Sequence, residues 1–175
     1  MPGARPVATE GHGYIPWGNM PAMPQRPKRI RLPAEAYANS EIAFHIVINA
    51  HPGVTQFSTA VVQAVWATVL EQVDAGRVQL FAACLMPDHV HLLLRPKEMG
   101  VIAFMNVWKS WSTHAARSAG HRGPLWQPSF YDRGVTHPDD FDAAAGYIVM
   151  NPVTAGFVKE IDEWPWTWSR YPADR

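Results

Sequence analysis

"MPDHVHLLL", residues 86–94, decides how this chain folds. Pro87 and Asp88 close one apolar run, "RVQLFAACLM" (77–86), and open another, "HVHLLLR" (89–95). The pattern reads as a strand, a tight turn and a second strand. Side chains on a strand alternate between faces, so His89 and His91 share one face while Val90, Leu92 and Leu94 share the other. The two imidazoles stand roughly 6–7 Å apart along the strand, from its rise per residue. They can converge on one cation or one phosphate, and two such histidines also occur as ordinary hydrogen-bonded surface residues.

Working outward, "EIAFHIVIN" (41–49) is β-branched and mostly apolar, which predicts an earlier strand. After the turn signal "HPG", residues 58–75 carry apolar side chains at helical spacing, with Ser58 or Thr59 available as the cap. Residues 98–118 predict a second long helix, its turns traced by Ile102, Met105, Trp108 or Lys109, and Ser112, and stopped by Gly120, Gly123 and Pro124. "LWQPSFYDRGV" (125–135) predicts a last strand interrupted at Pro128. A third helix starts at Pro138, whose fixed φ suits a first helical position, with Asp139 and Asp140 favourably placed for the helix dipole. It is expected to end near Asn151, because Pro152 disfavours helical geometry in the residue before it. The tail ending "WPWTWSRYPADR" reads as irregular or extended. This order of elements predicts an antiparallel or mixed sheet with helices packed on one face, an α+β fold.

Seven of the sixteen prolines fall within residues 1–35, which predicts an extended, partly basic arm, leaving 36–175 as a single domain. The lone Cys84 forms no internal disulfide, and neither a signal peptide nor an apolar run of about 18 residues is visible, so a cytoplasmic protein without membrane attachment is expected. Lysine plus arginine balance aspartate plus glutamate at 15 each. The balance is uneven locally: between Arg95 and Arg133 six basic residues face two acidic ones. Basic patches of this kind can bind phosphate, and they can equally be solvated surface.

The third helix adds chemistry. Phe141, Ala145 and Ile148 form a narrow core-facing stripe, while Tyr147 and Asn151, four residues apart, stack on another face. A tyrosine at the edge of a packed helix is often just a buried ring with a wet hydroxyl, and asparagine before proline is a common helix end.

Three segments in order, "LMPDHVHLLL", "LWQPSFYDRGV" and "YIVMNPVTAGFV" followed by "WPWTWS", resemble the REP-associated tyrosine transposases, members of the single-tyrosine HUH endonuclease superfamily. "RPKRIRLPAEAY" (26–37) is similar to the basic segment that leads into the first strand of that family. The resemblance runs from Arg26 to Ser169.

The resemblance implies a ferredoxin-like (RRM-like) antiparallel sheet with the tyrosine helix lying across the histidine strand. It implies that His89, His91 and Asn151 hold a divalent metal, Mg2+ or Mn2+, and that Tyr147 is the nucleophile of a single-stranded DNA endonuclease and strand-transferase. Two imidazoles and an amide suit softer ions than magnesium, so water and substrate oxygens are expected to complete the shell. The implied substrate is a hairpin of the repetitive extragenic palindromic type, cut through a 5′-phosphotyrosine, and a monomer is favoured over a helix-swapped dimer. Trp164, Trp166 and Trp168 alternate, so in an extended segment they present three indoles to one side, for base stacking or to cover a sheet edge. Lys109, Arg117, Trp126 and Arg133 are further candidates along the DNA path. Tyr131 is the rival nucleophile. Two other functions stay open: a hairpin-binding protein without catalysis, and a metallophosphoesterase that uses water.

Overall fold

The structure is a computed structural model that describes Leu32, residues 34–39 and residues 41–170. Most of the expected proline-rich arm, including "RPKRIR", lies outside the described residues.

Five strands form one antiparallel sheet in the order β4-β1-β3-β2-β5. The strands are β1 (Ala43–Asn49), β2 (Val78–Leu85), β3 (His89–Pro96), β4 (Tyr131–Val135) and β5 (Thr167–Ser169). The helices are α1 (Ala34–Ala38), α2 (Thr59–Asp74), α3 (Val101–Ser118) and α4 (Pro138–Thr154). From β1 to β4 the chain runs βαββαβ, which is the ferredoxin-like arrangement, and β5 extends the sheet beyond β2. No helix among the described residues is long and apolar enough to cross a membrane.

Alternation along each strand splits the interior into two layers. Phe44, Ile46 and Ile48 of β1 and Val90, Leu92 and Leu94 of β3 pack under α2 and α3, together with Val65, Phe104, Met105 and Trp108. The opposite face carries Ala43, Leu93 and Cys84, covered by Ala145 and Ile148 of α4. A bulge in β2 between Leu80 and Ala82 lets Phe81 and Ala82 both face α4 while Leu80 and Ala83 face α2 and α3. Phe81 thereby meets Phe141 of α4 edge to face, with ring centroids 5.0 Å apart. Helices thus cover one face and the tyrosine helix crosses the other.

Local chemistry accounts for the helix ends. Ser58 caps α2, its hydroxyl accepting from Val61 N at 3.4 Å. Helix α3 begins at Val101, three residues later than its sequence pattern predicts, with Gly100 as its cap. A Cβ on Gly100 would come within 2.7 Å of the Tyr37 carbonyl, so glycine lets α1 pack against the start of α3.

Helix α4 starts at Pro138 as expected but does not end at Asn151; it continues through Pro152 to Thr154. Proline has no N–H to donate to the Ile148 carbonyl four residues back. The Asn151 side chain fills in: its Nδ2 donates to the Tyr147 carbonyl at 2.8 Å and reaches the Ile148 carbonyl at 3.4 Å. The helix then closes through Gly156, at φ +75°, with Gly156 N donating to Val153 O and Phe157 N to Pro152 O.

Two further expectations need correction. The strand predicted over 125–135 is regular only from Tyr131, because Trp126 makes a single isolated bridge to Ala50 and "QPSF" follows as loop. The tail is more ordered than it reads, with a 3₁₀ turn (Ile161–Glu163) and then β5.

Candidate active site

Strand β3 presents His89 and His91 toward α4, and the packing of Ala145 and Ile148 against the sheet sets Tyr147 beside His91. The Tyr147 ring stands edge-on to His91, with centroids 5.6 Å apart, and edge-on to His45 of β1 at 5.8 Å. His89 and His91 approach with their Nε2 atoms 3.1 Å apart. Two nitrogens bound at about 2.1 Å and a right angle to one ion stand roughly 3 Å apart, so the pair has the spacing of two neighbouring ligands.

Each Nδ1 is also engaged. His89 Nδ1 lies 2.6 Å from Asp88 Oδ1, and His91 Nδ1 lies 3.1 Å from His45 Nε2. Burial holds the His91 pKa well below that of an ordinary histidine, with the neighbouring His89 and His45 adding to the effect. Burial likewise lowers His45 to about 4, helped by the positive charge of Arg133. Both rings are therefore neutral at pH 7, the state in which an imidazole nitrogen can bind a cation. Burial raises the Tyr147 pKa, opposed by a hydrogen bond with the Asn151 side chain.

The four residues singled out in the sequence meet in one open cleft of about 520 Å³, which His89, His91, Tyr147 and Asn151 all line. Asn151 is buried with its Nδ2 donating to the helix backbone, and its Oδ1 is the side-chain atom with lone pairs to offer a cation. Among the described residues no group of three histidine, cysteine or carboxylate side chains is placed to hold a metal. The cleft presents two imidazoles and one side-chain amide. Tyr131 projects from the same sheet face, but β1 lies between it and β3, which puts it roughly two strand spacings, about 10 Å, from His91.

The other candidates scatter. Arg133 pairs opposite His45, so it shares the face of the site, where it lies 3.5 Å from Asp140. Trp164 packs on the α4 side, its Nε1 donating to the Leu85 carbonyl and its ring 5.6 Å from Phe157. Trp166 and Trp168 pack instead toward the α2 and α3 layer, so the three indoles do not share one side; the chain is a regular strand only over 167–169. Trp126 is buried in that same layer, with Nε1 donating to Ser112 Oγ. Lys109 fastens the following loop, donating to the carbonyls of Gln127 and Pro128 at 2.5 and 2.9 Å. Arg117 is exposed near the end of α3, across the sheet from the cleft. The structure brings none of Lys109, Arg117, Trp126, Trp166 and Trp168 to the cleft.

Sequence reasoning missed His45 and Asp88. Alternation within "EIAFHIVIN" already separates His45 from Ile46 and Ile48, but only the pairing of β1 with β3 brings it to His91.

The sequence pattern described as "Transposase IS200 like" matches residues 38–150, well over half of the chain. The chain belongs to the IS200-like transposase family. This transposase-family chain is 27% identical over 89 residues to a REP-associated tyrosine transposase of Escherichia coli (strain K12), covering 51% of this chain and 53% of the relative. A second relative, the putative REP-associated tyrosine transposase of Haemophilus influenzae, is 26% identical over 98 residues, covering 49% and 56%. The chain thus spans about half the length of these relatives. Its fold is similar to that of a solved REP-associated tyrosine transposase bound to a REP hairpin, with a TM-score of 0.63 at 22% identity over 75% of this chain and 78% of the other.

Proposed function

We propose that this chain nicks and rejoins single-stranded DNA at hairpins of the repetitive extragenic palindromic type, using Tyr147 as the nucleophile. The observation that carries the reading is the Tyr147 ring standing 5.6 Å from that of His91, whose Nε2 lies 3.1 Å from the Nε2 of His89, in one cleft open to solvent. The hairpin bound to the structural relative and the names of the sequence relatives support the substrate class. The catalytic unit lies within residues 36–175. The chain acts as a monomer rather than as a helix-swapped dimer in this reading.

His89 and His91 through Nε2, and Asn151 through Oδ1, are the residues that would hold a divalent ion, magnesium or manganese. Such an ion would polarise the scissile phosphate and offset the charge that builds on it. The chain's own residues do the rest. The Tyr147 oxygen attacks phosphorus, its proton leaving through the open cleft; the Oη–P bond forms as the P–O3′ bond breaks, and the departing 3′ oxygen takes up a proton. The product is a 5′-phosphotyrosine and a free 3′-hydroxyl. Attack by the 3′-hydroxyl of another strand end reverses the step and joins the two without an external energy source. A half-buried phenol with a raised pKa is a weak nucleophile, so the Asn151 hydrogen bond that opposes the rise favours attack.

The test is incubation with labelled single-stranded hairpins taken from beside the gene, in manganese, followed by denaturing electrophoresis. A covalent protein–DNA band that disappears in Tyr147→Phe is expected. Undiminished cleavage by Tyr147→Phe would instead assign the attack to water, and tight binding without cleavage would identify a hairpin-binding protein.

A further inference from the structure

An uncharged imidazole carries one N–H and one bare nitrogen, so each close nitrogen pair in the His89–His91–His45 row is satisfied by one donor and one acceptor. The carboxylate of Asp88, 2.6 Å from His89 Nδ1, accepts a hydrogen bond from Nδ1–H, which leaves the His89 Nε2 lone pair facing the cleft. His91 is less constrained: its Nε2 faces His89 and its Nδ1 faces His45 Nε2, both at 3.1 Å. In the metal-free chain His91 Nε2 therefore carries the proton and donates to His89, and His91 Nδ1 accepts from His45. To bind a cation through Nε2, His91 must carry its proton on Nδ1, and something beside Nδ1 must accept it. His45 is the side chain in hydrogen-bond range of that nitrogen. As a histidine it can do both, donating in the first arrangement and, with its proton moved to its own Nδ1, accepting in the second. No net proton is gained or lost between the two.

We infer that His45 is a positioning residue of the cation site: its Nε2 accepts a hydrogen bond from His91 Nδ1–H and so turns the His91 Nε2 lone pair toward the ion, as Asp88 does for His89. The inference rests on the proposal above that His89 and His91 share a divalent cation. Position alone does not assign this role, because the His45 ring also lies under Tyr147 and a side chain of similar bulk could merely support it there.

Manganese binding separates the roles. The unbound fraction of Mn2+ is measured by electron paramagnetic resonance on the full chain, without DNA, for the wild type and for His45→Leu, His45→Gln, Asp88→Asn and His91→Ala. Leucine keeps bulk under Tyr147 but accepts no hydrogen bond; the glutamine amide can accept one. The expected result is a loss of affinity of about 10- to 100-fold for His45→Leu, the range found when outer partners of metal ligands are removed. His45→Gln is expected to stay within a few-fold of wild type, and Asp88→Asn, which keeps an acceptor but loses the carboxylate charge, to weaken binding less than His45→Leu does. Affinity of His45→Leu within twofold of wild type, with His91→Ala defective, would overturn the role of His45 while leaving the cation site standing. If His91→Ala bound manganese as well as wild type, the cation site itself would fall, and this inference with it. Should His45→Leu fail to fold, as judged by circular dichroism, His45→Gln decides alone: a loss beyond tenfold in a folded Gln variant overturns the inference, and near-wild-type binding upholds it.

Discussion

Asn151 illustrates how one side chain serves both backbone and site. Its Nδ2 covers the Tyr147 and Ile148 carbonyls at the point where Pro152 withholds a donor. The same side chain lines the cleft beside Tyr147. Replacing Asn151 with alanine should destabilise the fold by about 1 kcal/mol, the net worth of an ordinary hydrogen bond. The loss should shrink when Pro152→Ala restores an N–H for the Ile148 carbonyl. Urea midpoints of the two single variants and the double variant measure that coupling. A cost for Asn151→Ala that is unchanged beside Pro152→Ala would show that the amide does not substitute for the missing donor.

The buried imidazoles give the metal-free protein a defined acid response. His45 binds a proton near 6.5 when unfolded but only near 4 when folded, and His91 is shifted in the same direction. Between those values the unfolded chain holds more protons, so stability falls as pH drops from about 6.5 toward 4. For His45 alone the full loss is roughly 3 kcal/mol. Chemical denaturation at a series of pH values should show this slope, and His45→Gln should flatten it.

At the level of elements, the approach of α1 to α3 depends on the absence of one Cβ. Alanine at Gly100 would place a carbon 2.7 Å from the Tyr37 carbonyl, a backbone atom that cannot rotate away. The resulting shift should cost on the order of 1–3 kcal/mol, as overpacking generally does. It should also disturb the Tyr37 hydroxyl, which donates to Asp132 of β4 at 2.8 Å. Thermal unfolding of Gly100→Ala measures the cost; an unchanged midpoint would mean α1 is loosely held. The β2 bulge has a comparable role on the other side, because without it Phe81 would not meet Phe141 and α4 would lose an anchor.

For the molecule as a whole, Cys84 reports on the global fold. It is fully buried between the sheet and α4, and burial pushes its pKa up to about 12, opposed by the Thr167 hydroxyl 3.3 Å away. Little thiolate exists at neutral pH and no reagent reaches it, so alkylation should require opening of the sheet. The labelling rate of the native protein should therefore track stability across the variants above. Rapid labelling of native protein would show that the β2–β5 edge opens on its own.

Much of this was legible in the sequence because it depends on periodicity and on punctuation by turn residues. The two-residue alternation of "HVHLLL" fixed which side chains share a face, the apolar spacing of 58–75 and 98–118 marked two helices, and Pro138 marked the start of a third. The end of α4 was misjudged because a side chain of the helix itself supplied the donor that proline lacks, which propensity alone does not show. The indoles of 164, 166 and 168 share one side only in a fully extended segment, and a turn at 165–166 intervenes before the strand at 167–169.

By itself, the sequence determined which residues carry polar chemistry on otherwise apolar elements: His89 and His91 on a buried strand, Tyr147 and Asn151 one turn apart on a helix. Only the tertiary structure decided that they meet, that Tyr131 stands a strand away, and that His45 and Asp88 hold the imidazole row from either end. The reason is physical. Alternation and helical pitch are local properties of a few residues, whereas strand pairing and helix docking are settled by long-range burial of two apolar layers, which no short segment encodes.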